Sequence, residues 1–154
     1  MSSTGASKVY KRKNDDLLKS LCLMQKERYK IFKEQNLEKG RFDVTFEVEG
    51  KMLRAHKFIL TTVSETLDSW LSDRWSCKDA VIKIESYSYH CFFQFLSFLY
   101  CSECKLTGQN IVKMTDIAEF YGVQCLKDFC DEYLSDMVKS VESIEELYEF
   151  AQKY

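Results

Sequence analysis

Residues 42–60 read FDVTFEVEGKMLRAHKFIL, and the periodicity of this stretch changes partway along. Val44, Phe46 and Val48 alternate with Thr45, Glu47 and Glu49, the period-two signature of a half-buried strand. Glu49-Gly50 is a tight-turn signal, and Met52 to Ala55 reads as the returning strand of a hairpin. After His56 the spacing becomes helical: Phe58, Ile59, Val63, Leu67, Trp70 and Leu71 predict helices, two of them joined near Ser64. A hairpin that runs directly into helices requires a mixed fold, in which helices cover one face of a small sheet.

The flanks extend this pattern. Upstream, Asn14 to about Gln35 predicts a helix, with Asn14 or Asp15 able to cap it and two aspartates in its first turn. Leu17, Leu18, Leu21, Met24, Arg28, Ile31 and Phe32 form its stripe, and "NLEKGR" breaks it at Gly40. Downstream, "AVIKIES" at 80–86 predicts a third strand, and "YSYHCFFQFLSFLYC" a strongly apolar helix built on Phe92, Phe95 or Leu96, and Leu99. Asn110 is placed to cap a helix ending at Tyr121, with Gly122 as its C′ residue. A further helix spans Val123 to Leu134, and a last amphipathic segment follows Ser143. The absence of proline from the chain suits a helix-dominated fold with short connections.

Composition narrows the functional class. The 154 residues are 45% hydrophobic and 14% aromatic, as expected of one folded domain with a modest extension. No apolar run is long enough for a membrane span, and the polar start "MSSTGASKVYKRKNDD" lacks the apolar stretch of a secretory signal. Seven cysteines, an odd number, suggest reduced thiols and hence a cytoplasmic or nuclear setting. Charge is uneven: residues 1–40 hold ten Lys/Arg against five Asp/Glu, and residues 41–154 hold twelve against nineteen. An acidic body argues against a nucleic-acid-binding face, and "KRK" at 11–13 reads as part of a solvated tail.

The residues with chemical potential are few. His56 has no nucleophile, Gly-x-Ser-x-Gly or Cys/His constellation around it, so it is read as a local hydrogen-bonding group where strand turns into helix. His90 reads as a partly exposed structural residue. Cys101-Ser-Glu-Cys104 is an isolated C-x-x-C following a helix, with no second pair at zinc-finger spacing, and reads as two incidental thiols on a loop. The chain contains no phosphate-binding glycine loop, and no metal or other cofactor is implied. The expectation is a non-enzyme.

The segment from Asp43 to Ser64, "DVTFEVEGKMLRAHKFILTTVS", resembles the opening of a BTB (POZ) domain. The likeness continues in register through "VIKIES", "FFQFLSFLYC" and "NIVKMTDIAEFYGVQCLKDFCDEYL". It implies the α+β BTB/POZ fold, a small mixed sheet covered by helices. On that basis the chain divides into a tail (1–13), an N-terminal helical extension (14–41), the BTB/POZ domain (42–135) and the start of BACK-like (3-box) helices (136–154). "DLLKSLCLM" resembles the extra helix of dimerising members, which implies a homodimer with Leu17, Leu18 and Leu21 in its contact surface. The resemblance also pairs Lys57 with Asp43 in a charged pocket near that interface.

Family members that recruit the class-three cullin often carry an apolar residue, any residue, and then glutamate in the loop occupied here by "WLSDRWSCKD". Register places Trp75 as the anchor, Ser76 in the middle, and Cys77 where glutamate is expected. The resemblance therefore implies an adaptor in a cullin-RING ubiquitin ligase that binds itself, the cullin, and a substrate or cargo protein. A structural scaffold outside ubiquitination is the rival reading, and a transcriptional regulator acting through a partner is a third.

Overall fold

The computed structural model describes residues 11–72, 80–140 and 151–153. Helix α1 (Asn14–Glu34) starts from Lys13, which provides no side-chain cap; Asp15 and Asp16 instead place negative charge in the first turn. It ends where Gln35 turns left-handed at φ 49°. The break therefore comes five residues before Gly40, and "LEKG" forms a one-turn helix α2 (Leu37–Gly40) capped by the Asn36 side chain.

Strands β1 (Val44–Val48) and β2 (Lys51–Ala55) pair antiparallel around a two-residue turn, in which Glu49 and Gly50 both take positive φ. As the alternation predicts, Val44, Phe46 and Val48 are buried, with Thr45 and Glu47 on the more open face. Strand β3 (Val81–Ile84) adds parallel to β1, so the sheet order is β2-β1-β3. The crossover runs through α3 (Lys57–Thr61) and α4 (Glu65–Ser72). These two helices meet at Ser64, whose buried hydroxyl donates to the Tyr121 carbonyl and accepts from Leu67 N–H at 3.1 Å.

Helix α5 (Tyr89–Cys101) is the core of the body. Ser88 caps it by accepting from Cys91 N–H, and Phe92, Phe95, Leu96, Phe98, Leu99 and Tyr100 are all buried. A helix apolar on most sides is stable only when packed on several. α5 accordingly meets α1 through Phe32, the sheet through Phe46, α6 (Ile111–Phe120) through Tyr121, and α7 (Gln124–Ser140) through Phe129. Gly122, at φ 65°, closes α6 in the C′ role read from sequence. Asn110 stands at the N-terminus of α6, yet its side chain is not a cap. It bonds back to Lys105 O and Thr107 N and so fixes the preceding loop. The helix expected to end at Leu134 continues as α7 to Ser140. The Ser143 cap and the stripe Ile144, Leu147 and Tyr148 lie outside the described residues.

Three core tyrosines make the fold sensitive to alkali. Burial, followed by a hydrogen bond to Asp116, raises Tyr87 from 10 to about 12. Burial also raises Tyr100 and Tyr121. Because the folded-state values lie above the unfolded one, this stabilisation is complete below about pH 10 and lost as pH rises through about 12. Melting temperature measured from pH 9 to 12 should therefore fall steeply above 10, and Tyr87→Phe should make that slope shallower. An unchanged slope in the variant would remove Tyr87 from the account.

Candidate interaction face

His56 ends β2 and stands at the N-cap of α3, but its side chain does not bond locally. Nε2 lies 2.6 Å from the Gly40 carbonyl, and Nδ1 lies 2.7 Å from the Tyr100 hydroxyl. A carbonyl can only accept, so Nε2 carries the proton and Nδ1 accepts from Tyr100 O–H. The same hydroxyl oxygen accepts from His56 N–H at 2.9 Å. The expectation of a scaffold residue was right in kind, but its partners are 16 and 44 residues away. Sequence reasoning missed Tyr100 in this role because no local pattern links the two positions. Gly40 fits because a Cβ there would collide with the Phe42 ring, which packs 4.9 Å from the His56 ring. Tyr100→Phe leaves Nδ1 and the His56 N–H without this partner. Denaturant titration should show a loss of about 1–3 kcal/mol.

Asp43 and Lys57 do meet, but not as an ion pair. Asp43 Oδ1 accepts from Lys57 backbone N–H at 2.7 Å and caps α3 in place of His56. Among the described residues the ion pairs are Lys127–Glu119 and Lys139–Asp136, both elsewhere. The carboxylate is used because the first N–H groups of α3 have no intrahelical acceptor.

The N-terminal half of α1 leaves the body almost bare. Phe32 is its one buried residue, stacked 4.5 Å from Tyr100 and 5.5 Å from Phe93 of the same chain, so the helix is anchored on its own subunit through its last turns. Leu17, Leu18, Leu21, Met24 and Ile31 remain 42–58% exposed. Beside Ile31 the surface continues into a groove of about 470 Å³ lined by Arg28, Ile59, Val63 and Leu99, with Phe58 at its rim. Phe58 is 77% exposed, although helical periodicity had placed it on the inner stripe. The structure turns Leu60 inward instead, and Phe58, two residues earlier in a five-residue helix, cannot face the same way.

Trp75, Ser76 and Cys77 lie outside the described residues. The helix leading to them, α4, contributes half-buried Trp70 to a second cleft of about 340 Å³, shared with Tyr87, Phe120 and Tyr121. Phe120 is 63% exposed there.

Elsewhere, His90 is exposed. Cys101 Sγ donates to the Ser97 and Glu103 carbonyls. Burial, together with nearby Cys130 and Cys101, pushes the Cys104 thiol up to about 12. A thiol held protonated is a poor nucleophile and a poor metal ligand. Among the described residues no group of His, Cys, Asp or Glu is arranged to hold a metal ion, and no helix is long and apolar enough to cross a membrane.

This arrangement of hairpin, crossover helices, parallel third strand and central apolar helix has close structural relatives. The BTB domain of zebrafish PATZ1 superposes with a TM-score of 0.66 at 21% identity, covering 84% of this chain and 99% of that one. The BTB domain of human gigaxonin gives 0.60 at 16% identity, covering 82% and 98%. In sequence, the chain is 26% identical over 99 residues to the Caenorhabditis elegans protein maternal effect lethal 26, which covers 62% of this chain. It is 28% identical over 105 residues to human Rho-related BTB domain-containing protein 3, covering 67% of this chain. The chain spans 25% of the first of these proteins and 17% of the second. The family match itself covers residues 32–137. The chain thus belongs to the BTB/POZ domain family, whose domains serve as protein–protein interaction modules.

Proposed function

We propose that this BTB domain self-associates as a homodimer and acts as an adaptor in a cullin-RING ubiquitin ligase. The observation that carries self-association is the α1 stripe. Leu17, Leu21, Met24 and Ile31 recur at heptad spacing, are exposed in the single chain, and adjoin exposed Phe58. An exposed apolar stripe of this kind, interrupted by Arg28, is uncommon on a monomer and fits an interface. The fit to a second copy is also geometric. In a two-fold dimer each stripe contacts its symmetry mate, so one self-complementary patch on α1 is sufficient. Asp43 and Lys57 meet at the start of α3, next in sequence to Phe58, and are assigned to the edge of this interface.

For the cullin, support comes from the Trp75-Ser76-Cys77 sequence and, separately, from an aromatic cleft formed by Trp70 of α4 with Tyr87, Phe120 and Tyr121. An aromatic anchor residue and a partly open aromatic cleft each suit burial of an apolar partner segment. Cys77 provides no carboxylate, so the charge-assisted contact expected of glutamate is missing and affinity rests on the apolar anchor. That departure is also what favours the scaffold reading. Pull-down against the class-three cullin should retain the wild type and lose about 30-fold in the Trp75→Ala variant, corresponding to a hot-spot contribution of about 2 kcal/mol. If wild type does not bind, the scaffold reading takes its place. If both bind equally, Trp75 is not the anchor.

A further inference from the structure

Gln35 links α1 to the sheet in an unusual way. β2 is an edge strand, and its Arg54 presents its backbone N–H and C=O away from β1. The Gln35 amide takes both groups: Oε1 accepts from Arg54 N–H at 2.8 Å, and Nε2 donates to Arg54 O at 2.9 Å. Nε2 also donates to the Phe32 carbonyl at 2.7 Å, satisfying one of the free carbonyls at the end of α1. A primary amide offers a donor and an acceptor side by side, as a residue of a neighbouring strand would. Gln35 therefore occupies the edge like a one-residue strand, and to do so it holds φ at 49°, a conformation a non-glycine residue adopts only when its surroundings enforce it.

The consequence lies at the far end of the helix. α1 is anchored through its last turns, where it lies against α5 with Tyr29 on the core and the Phe32 ring against Phe93 and Tyr100, a packing that resists translation and leaves the fine angle of exit to be fixed. Leu17 lies fifteen residues away, or about 22 Å along the axis. A tilt of about 10° at the anchor moves Leu17 by about 4 Å, a whole side-chain contact distance. A two-point hydrogen bond three residues beyond Phe32 removes that freedom.

We infer that Gln35 is the positioning residue for self-association: its amide, docked on the open edge of β2, sets the angle at which α1 leaves the body and so places the Leu17/Leu21/Met24 stripe. This rests on the homodimer reading above.

Three full-length proteins test it. Gln35→Met keeps the length and loses every hydrogen bond. Gln35→Glu keeps an acceptor for Arg54 N–H but sets a carboxylate oxygen against the Arg54 and Phe32 carbonyls, so it too breaks the dock and decides the matter should the Met variant not fold. Ile117→Val, in the buried face of α6 away from the elbow, serves as a stability control. Sedimentation equilibrium should show dimerisation weakened at least 10-fold in Gln35→Met and in Gln35→Glu, and little in Ile117→Val even where the control melts lower. Arg54 amide exchange should accelerate at least 10-fold in Gln35→Met while Leu53, bonded within the hairpin, stays protected. Dimerisation of Gln35→Met within 2-fold of wild type overturns the inference, as does a loss of affinity that simply follows melting temperature across the three variants. A monomeric wild type overturns the homodimer reading and this inference together, and that result is distinguishable because it is read before any variant.

Discussion

Leu21→Asp is expected to turn a dimer into a monomer with its fold intact. Leu21 is 45% exposed in the single chain, so the substitution costs the isolated body little, within about 0.5 kcal/mol for a surface position. The interface responds differently. Leu21 is already about half covered, so the dimer buries about half a leucine, about 0.7–1.5 kcal/mol, and a two-fold contact counts it twice, giving about 1.5–3 kcal/mol. That corresponds to roughly 10- to 150-fold weaker association, before the cost of enclosing a carboxylate among Leu17, Met24 and their symmetry mates. Circular dichroism should be nearly unchanged, the melting temperature should lose only its concentration-dependent part, and the sedimentation coefficient should drop. If the variant remains a dimer, the interface lies elsewhere.

Phe46→Ala should do the opposite, damaging the fold at a position no partner touches. Phe46 is fully buried in the central strand, its ring 5.1 Å edge-on to Phe92 of α5 and 6.4 Å from Trp70 of α4. It joins sheet, central helix and crossover helix, so its removal opens a cavity that none of the three can fill by moving alone. The loss should be about 3–5 kcal/mol, read as a lower urea midpoint. For a domain of ordinary stability, about 5–15 kcal/mol, this leaves a marginal protein. A loss below about 1 kcal/mol would mean that the three elements repack freely, contrary to a core built around α5.

The contrast between these two residues reflects what the sequence could reveal. Phe46 was legible because strand periodicity is local: alternation over five residues determines which face is buried. The hairpin, the joint at Ser64, the third strand and the Gly122 terminus were legible for the same reason. Leu17, Leu18 and Leu21 were legible as a stripe, but a stripe does not reveal whether it faces its own body or another chain. Phe32, four positions after Arg28, turns inward, whereas Ile31 beside it stays open. That division is set by where α5 places Phe93 and Tyr100, about sixty residues later.

The contacts that fix the elbow between α1 and β1 were illegible for a related reason. Gln35 with Arg54, and His56 with Gly40 and Tyr100, join residues 16 to 44 positions apart, and a polar side chain carries no periodicity to announce its partner. Family resemblance pairs Asp43 with Lys57 in a charged pocket, whereas the contact present joins the carboxylate to the Lys57 backbone N–H, an obligation every helix start carries.

Self-association is the claim on which the α1 stripe, the role of Gln35 and the adaptor reading all depend. Sedimentation equilibrium of the wild-type chain from low to high micromolar concentration tests it directly. A mass of twice the chain, reverting to one chain with Leu21→Asp, is the expected result. A single-chain mass for the wild type at high micromolar concentration would contradict it.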